Sequence, residues 1–164
     1  MIAKEDIQRL YNWSLSTSFP LRKDRVASKH MGYESMICPI KIGKKHKMYP
    51  HGDIIKPVLD IVERDEISGM YYLFYPPHIT VKPHIDHNPY KQDYLRIQIP
   101  IKIPNNNRDM ECYIEWIDSK ERVYWKEGKV EIFNVEELHQ GANNSNETME
   151  FLYVDIKKDT EVEL

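Results

Sequence analysis

Hydrophobic and polar positions alternate in two different rhythms along this chain, and the change falls near residue 70. Before it, the period is helical. Ile7, Leu10, Tyr11 and Leu15 recur at spacings that put them on one face of a helix. A second helix is predicted between about Asp53 and Glu66, with Ile55, Val58, Leu59 and Val62 as its stripe and Asp53 in position to cap its start. Pro57 is tolerable there only in or near the first turn, because it has no N–H to donate. Between the two helices lies the basic run KIGKKHK, residues 41–47, read as a solvated loop. From residue 70 the segments GMYYLFY, ITVKPHID, YLRIQIPIKI, ECYIEWID, ERVYWK, GKVEIF and MEFLYVDI are short and rich in Ile, Val, Tyr and Phe, with Gly, Pro, Asn and Asp between them. That texture predicts closely spaced antiparallel strands in a sandwich or barrel. In YLRIQIPI, Leu95, Ile97, Ile99 and Ile101 take one face and Arg96 and Gln98 the other. The second face then needs either solvent or a polar cavity, and solvent is the simpler expectation.

The expected organisation is one domain over residues 1–164, with 1–69 as helical support and 70–156 as a β core. A chain of 164 residues buries roughly 68–70% of its unfolded surface and needs no staple to hold a core. Composition narrows the functional classes. A formal net charge of −3 gives no support to general nucleic-acid binding. No apolar run reaches the length of a membrane span. The opening MIAKEDIQRLYNW carries charges where an export signal has an apolar run, so a cytoplasmic location is expected. Cys38 and Cys112 are then free thiols. The few glycines form neither a Walker A loop nor a GxGxxG turn.

The candidate chemistry lies in the histidines. His84 and Asp86 stand two apart, a spacing that projects both side chains to the same face of a strand. An imidazole and a carboxylate converging in this way can grip a divalent metal, with a third ligand from elsewhere. The spacing alone is a weak signal: composition predicts about one such pair by chance, and His51-Gly-Asp53 is a second example, in which the cap explains Asp53. His84-Ile-Asp86 differs because it ends a predicted strand and precedes a turn. His139 follows the strand GKVEIF and precedes the polar segment GANNSNE, read as a turn. Ligands at the ends of different strands meet readily in the mouth of a barrel. His78 and His87 read as loop and turn residues, and Tyr72, Tyr75, Tyr94, Trp116 and Trp125 as core or cavity wall.

These pieces, in order, resemble the aspartyl/asparaginyl β-hydroxylase branch of the Fe(II)/2-oxoglutarate oxygenases over roughly residues 70–156. KPHID resembles the iron-binding His-x-Asp block. LRIQIPI resembles the Arg-x-His-x-Pro-Leu strand, with Arg96 at the arginine and Gln98 at the histidine. WKEGKVEIFN resembles the strand and turn before the distal histidine, and HQGANNSNETMEFLYVDI the segment His-x-Val-x-Asn-x-Ser through a final strand ending in Asp. His139, Asn143, Ser145 and Asp155 then fall in register. The resemblance implies a double-stranded β-helix (a cupin-like jelly roll, mainly β with flanking helices) and iron held by His84, Asp86 and His139. It also implies 2-oxoglutarate as cosubstrate, contacted by Arg96 and Gln98, and O2-driven hydroxylation of an amino acid, a peptide side chain or a small metabolite. The chain departs from the family pattern at Met149, where an arginine usually pairs with the far carboxylate of 2-oxoglutarate. Two other classes therefore stay open: a cupin-type metal enzyme that uses no oxoacid, and a non-catalytic barrel that binds a ligand.

Overall fold

The computed structural model describes residues 1–16, 36–42, 52–88, 90 and 92–163, with the backbone alone for 36–42 and 52–53. Among the described residues nine strands form two antiparallel sheets. They are β1 (Met36–Ile42), β2 (Ile67–Tyr75), β3 (Ile79–His84), β4 (Tyr94–Lys102), β5 (Tyr113–Trp116), β6 (Arg122–Val123), β7 (Glu131–Phe133), β8 (His139–Asn143) and β9 (Met149–Lys157). The five-stranded sheet runs β1-β2-β9-β4-β7 and the four-stranded sheet β3-β8-β5-β6. Helices α1 (Lys4–Ser14) and α2 (Gly52–Leu59) precede β2, as does a short 3-10 turn at Arg64–Glu66. Among the described residues no helix is long and apolar enough to cross a membrane.

The five-stranded sheet is covered on both faces, and period-2 alternation sorts its side chains. On the outer face Ile97, Ile99, Ile101, Leu152, Val154 and Ile156 meet Ile7, Leu10 and Trp13 of α1 and Ile55 and Val58 of α2. On the inner face Leu73, Tyr94, Met149, Phe151 and Tyr153 meet Ile114, Trp116, Trp125 and Phe133. β9 is central and is buried along eight of its nine positions, because it has a strand on each side and a layer on each face. The predicted alternation of β4 is observed, but its polar face is not solvent: Gln98 is 1% exposed. Arg96 and Gln98 point into the space between the sheets.

Several elements differ from the sequence expectation. Leu15 is not on the buried face of α1; it caps the helix and is exposed. Trp13 takes the buried place. α2 ends at Leu59 rather than near Glu66, and Pro57 lies inside it, beyond the first turn. A proline there leaves a backbone carbonyl one turn earlier without its usual donor, in keeping with a helix this short. Asp53's capping role, His51 and the remainder of the basic run after Ile42 lie outside the described residues or side chains. Residues 36–42 form a strand within the stretch expected to be helical support. The segment after His139, expected as a turn, begins as β8. This strand has little apolar character, yet it is paired on both sides, with β3 and β5. A Cβ at Gly141 would stand 3.0 Å from the Tyr113 carbonyl oxygen, so the absence of a side chain lets β5 approach. Asn143, fully buried, ends β8 and donates from its amide nitrogen to the carbonyls of Tyr75, Pro76 and Glu147. Its Oδ1 accepts from the Ser145 N–H and hydroxyl, which closes the turn into β9.

Candidate metal centre and its charged neighbours

The pairing of β3 with β8 sets His84 directly opposite His139. Their rings lie 4.4 Å apart between centroids. Asp86, two residues past His84, is held by its own N–H, which donates to the Val135 carbonyl at 3.0 Å. Its Oδ1 stands 3.3 Å from His84 Nε2 and 3.9 Å from His139 Nε2. One ligand atom from each of the three lies within 4.8 Å of the others. Among the described residues, three sequence candidates therefore meet: His84, Asp86 and His139. His78 instead contacts Asn146 from an exposed turn, and His87 stays outside the group. His30, His46 and His51 lie outside the described residues.

Each imidazole is oriented in the same way. His84 Nδ1 is 2.7 Å from the Lys82 carbonyl and His139 Nδ1 is 2.8 Å from the Glu137 carbonyl. A carbonyl only accepts, so each Nδ1 carries a proton, and in the neutral ring each Nε2 presents a lone pair. Metal-ligating histidines are commonly fixed by such a bond on the second nitrogen. Two imidazole nitrogens and one carboxylate oxygen on one side of a site is the donor set of non-haem Fe(II) oxygenases. The residues present fit that metal.

The charges around Asp86 are ordered. Burial pushes its carboxyl up, but the Arg96 guanidinium, with His84 and His139, outweighs burial and holds it well below the usual carboxylate range. Burial opposes protonation of His84; Asp86 and the Lys82 carbonyl outweigh it and raise this group. For His139 burial prevails and lowers it. Arg96 donates from Nη1 to Asp86 Oδ2, from Nε to Asp155 Oδ1 at 2.6 Å and from Nη2 to Asp155 Oδ2 at 3.0 Å. Its guanidinium carbon sits 5.0 Å from the centroid of the Tyr153 ring. Gln98 accepts from the Trp125 indole and donates to the Tyr153 hydroxyl. Met149 is buried on the same inner face as Phe151 and Tyr153.

Sequence reasoning missed one member of this assembly, Tyr90, and one buried acid across the sheet from it, Glu150. Tyr90, in the loop after Asp86, donates its hydroxyl to Asp155 Oδ2 at 2.6 Å. Glu150, on the outer face of β9, accepts from Tyr72 at 2.7 Å and Ser14 at 2.8 Å. Neither sits in a periodic pattern that marks it. An acid among the apolar residues of MEFLYVDI was the available sign for Glu150.

Two facing antiparallel sheets, helices on one outer face and a His-Asp-His cluster define a double-stranded β-helix of the oxygenase type. The sequence model of the aspartyl/asparaginyl β-hydroxylase family matches residues 45–159, and the chain belongs to this family of hydroxylases. Solved structures agree on the fold. A viral collagen prolyl hydroxylase from Paramecium bursaria Chlorella virus-1, in its 2OG complex, aligns with a TM-score of 0.61 at 12% identity, over 94% of this chain and 90% of that one. A prolyl-4-hydroxylase from Pseudomonas putida aligns at 0.60 and 9% identity, over 96% and 89%. A Trichoplax adhaerens prolyl hydroxylase, in complex with a hypoxia inducible factor oxygen degradation domain peptide fragment, aligns at 0.64 and 9% identity, over 96% and 80%. None of the curated proteins matches the sequence.

Proposed function

We propose that this protein is an Fe(II)- and 2-oxoglutarate-dependent dioxygenase that hydroxylates an unactivated C–H bond of an amino acid, a peptide side chain or a small metabolite. The observation that carries this reading is the orientation of His84 and His139: both Nδ1 atoms are bonded to backbone carbonyls, and both Nε2 atoms converge with Asp86 Oδ1. These three residues would hold the iron. When bound, the iron supplies O2 activation coupled to oxidative decarboxylation of the oxoacid.

The charge arrangement favours binding of the cosubstrate after the metal. Arg96 faces two carboxylates, Asp86 and Asp155, which leaves one negative charge in excess. A divalent cation reverses that excess and makes the site attractive to an anion. Arg96 spends three of its five N–H groups on Asp86 and Asp155. The other two are left for a cosubstrate carboxylate, with Gln98 beside them on the same strand face. Trp116, whose ring lies 6.4 Å from that of His139, and Phe133, packed on Trp116, form an apolar wall that limits water near the metal. The net charge of −3 favours a small-molecule or peptide substrate over nucleic acid. The cytoplasm, where Fe(II) and the free thiol of buried Cys112 both persist, is the location we propose.

Met149 favours a second reading, a metal enzyme on the same barrel without an oxoacid, because a buried methionine offers no charge to a far carboxylate. Anaerobic addition of Fe(II) and then 2-oxoglutarate separates the two. A weak absorption band at roughly 500 nm, the signature of the chelated oxoacid, is the expected result, and succinate release then serves to screen substrates. Iron binding without the band moves the protein to the second reading. No iron binding at all leaves a non-catalytic barrel.

A further inference from the structure

Asp86 divides its two oxygens. Oδ1 faces the two Nε2 atoms, and Oδ2 is taken by Arg96. What fixes Arg96 is a single cross-strand row on the inner face of the five-stranded sheet. Gly69 of β2 pairs with Asp155 of β9, and Asp155 pairs with Arg96 of β4. Residues directly opposite one another share a sheet face, so the guanidinium and carboxylate meet as a fork, Nε and Nη2 on the two oxygens of Asp155. The third member of the row has no side chain, and the Tyr90 hydroxyl fills the space. A Cβ at Gly69 would stand 2.2 Å from Tyr90 Oη. From that position Tyr90 donates to Asp155 Oδ2 and contacts the Tyr71 hydroxyl at 2.7 Å, with its ring set edge-on to Tyr94 at 5.0 Å. The Tyr90 N–H donates to Asn88 Oδ1.

We propose that Tyr90, seated in the gap left by Gly69, is a positioning residue that acts through Asp155 and Arg96 to keep Asp86 a one-oxygen metal ligand. The inference rests on the metal site proposed above. The physical argument is one of sequestration. A free carboxylate next to a divalent ion readily offers both oxygens and takes two coordination positions. With Oδ2 bonded to a guanidinium that is itself locked by two further bonds, only Oδ1 is available, and one more position stays open for exogenous ligands. Without the Tyr90 hydroxyl, Asp155 Oδ2 loses one of its two donors, the fork slackens, and Asp86 Oδ2 is released toward the metal.

The test uses Co(II) as a spectroscopic probe of the full-length protein, with affinity from calorimetry and coordination from the visible spectrum. Tyr90→Phe removes only the hydroxyl; Gly69→Ala leaves it and drives it off Asp155. Both variants are expected to bind Co(II) about tenfold more weakly, the scale of lost support to a metal ligand. Both should also show an altered visible spectrum, as the second Asp86 oxygen takes the position of an exogenous ligand. Gln92→Ala, which cuts the bond from the same loop to Ser68, should leave affinity and spectrum unchanged. A wild-type protein that binds no Co(II), or binding that survives His84→Ala, overturns the metal reading and this inference with it. Binding lost in His84→Ala, yet with the wild-type affinity and spectrum in Tyr90→Phe, overturns this inference alone. So does a Gln92→Ala variant as weak as Tyr90→Phe, because general order of the loop would then be the cause.

Discussion

Trp125 donates its indole N–H to Gln98 Oε1 at 2.5 Å, and Gln98 passes the chain on from its own Nε2 to the Tyr153 hydroxyl at 2.6 Å. The amide thus joins β4, β9 and the segment before β7 inside the inner core. Removing it leaves the buried indole N–H without its acceptor. Gln98→Leu keeps the approximate volume and should cost about 1–3 kcal/mol, or roughly 2–12 °C in melting temperature for a chain of this size. Thermal denaturation of the metal-free protein measures it. An unchanged melting temperature would mean that Trp125 and Tyr153 find other partners.

His84→Ala, Asp86→Ala and His139→Ala should each abolish tight Fe(II) binding. The first two side chains are partly exposed, so their loss should leave the fold intact, with circular dichroism like that of the wild type. His51→Ala should bind iron normally. Anaerobic calorimetry decides. Iron lost in His51→Ala and kept in His139→Ala would mean that the ligands have been chosen from the wrong His-x-Asp pair.

Arg96→Met should show two effects, because Arg96 contacts two carboxylates and has N–H groups left over. Asp155, 1% exposed, loses its charge partner, and stability should fall by about 3–5 kcal/mol, the scale of breaking a buried pair. The apparent 2-oxoglutarate requirement should rise at least tenfold, equivalent to losing about 1.4 kcal/mol of pairing. Equilibrium denaturation and a titration of cosubstrate at saturating iron measure the two separately. A destabilised variant with an unchanged requirement would confine Arg96 to supporting Asp86.

What could be read in the sequence, and what could not, follows from where each signal originates. Ile97, Ile99 and Ile101 write a local period of two, and the strand they predict is β4. The family resemblance rests on four short blocks in order, and His84, Asp86 and His139, drawn from two of those blocks, do lie together. β8 carries no such pattern, since HQGAN becomes a strand through its pairing with β3 and β5. β1 holds Pro39 and a register shift beside it, both tolerated because the strand is at the sheet edge. The polar face of β4 was ambiguous between solvent and cavity, because the partners that settle it, Asp155, Tyr153 and Trp125, come from distant strands and loops. Tyr90 was illegible for the same reason: its partner Asp155 lies 65 residues away.

Glu150 gives a pH dependence whose sign can be worked out. Burial raises its carboxyl above the ordinary 4.5, against the hydrogen bonds from Tyr72 and Ser14, which lower it. The folded protein therefore holds this proton to higher pH than the unfolded chain does. Its contribution to stability is complete below about pH 4.5 and is lost as pH rises through the elevated value. Glu150→Gln keeps an oxygen that accepts from both hydroxyls and cannot ionise. The variant should melt higher than wild type at pH 7, with the difference shrinking toward pH 4. Melting curves across that range measure it, and a variant less stable at pH 7 would show that the ionised carboxylate is the better partner for Tyr72 and Ser14.

Met149→Arg tests the register of β9 and the chemistry of the cosubstrate together. Met149 pairs with Tyr75 across β2 and β9 and is 1% exposed, among Leu73, Phe151 and the other apolar residues of the inner core. Related hydroxylases, in the resemblance drawn from the sequence, carry an arginine at this position. Two outcomes are physically distinct. If the inner core has room and 2-oxoglutarate reaches it, the new guanidinium pairs with the far carboxylate and affinity rises with little loss of stability. If the core has repacked around methionine, the cation is buried without a partner, and that costs about 3–5 kcal/mol. The apolar neighbours and near-complete burial favour the second. Among the described residues, Asp155 is the one buried acid on this face of β9, and Arg96 already occupies it. The expected result is a melting temperature lower by roughly 6–20 °C and no gain in 2-oxoglutarate affinity by calorimetry. Tighter binding at unchanged stability would show that a second anchor fits after all. A variant unchanged in both would place residue 149 away from the cosubstrate, and with it the register that relates this last strand to the family pattern.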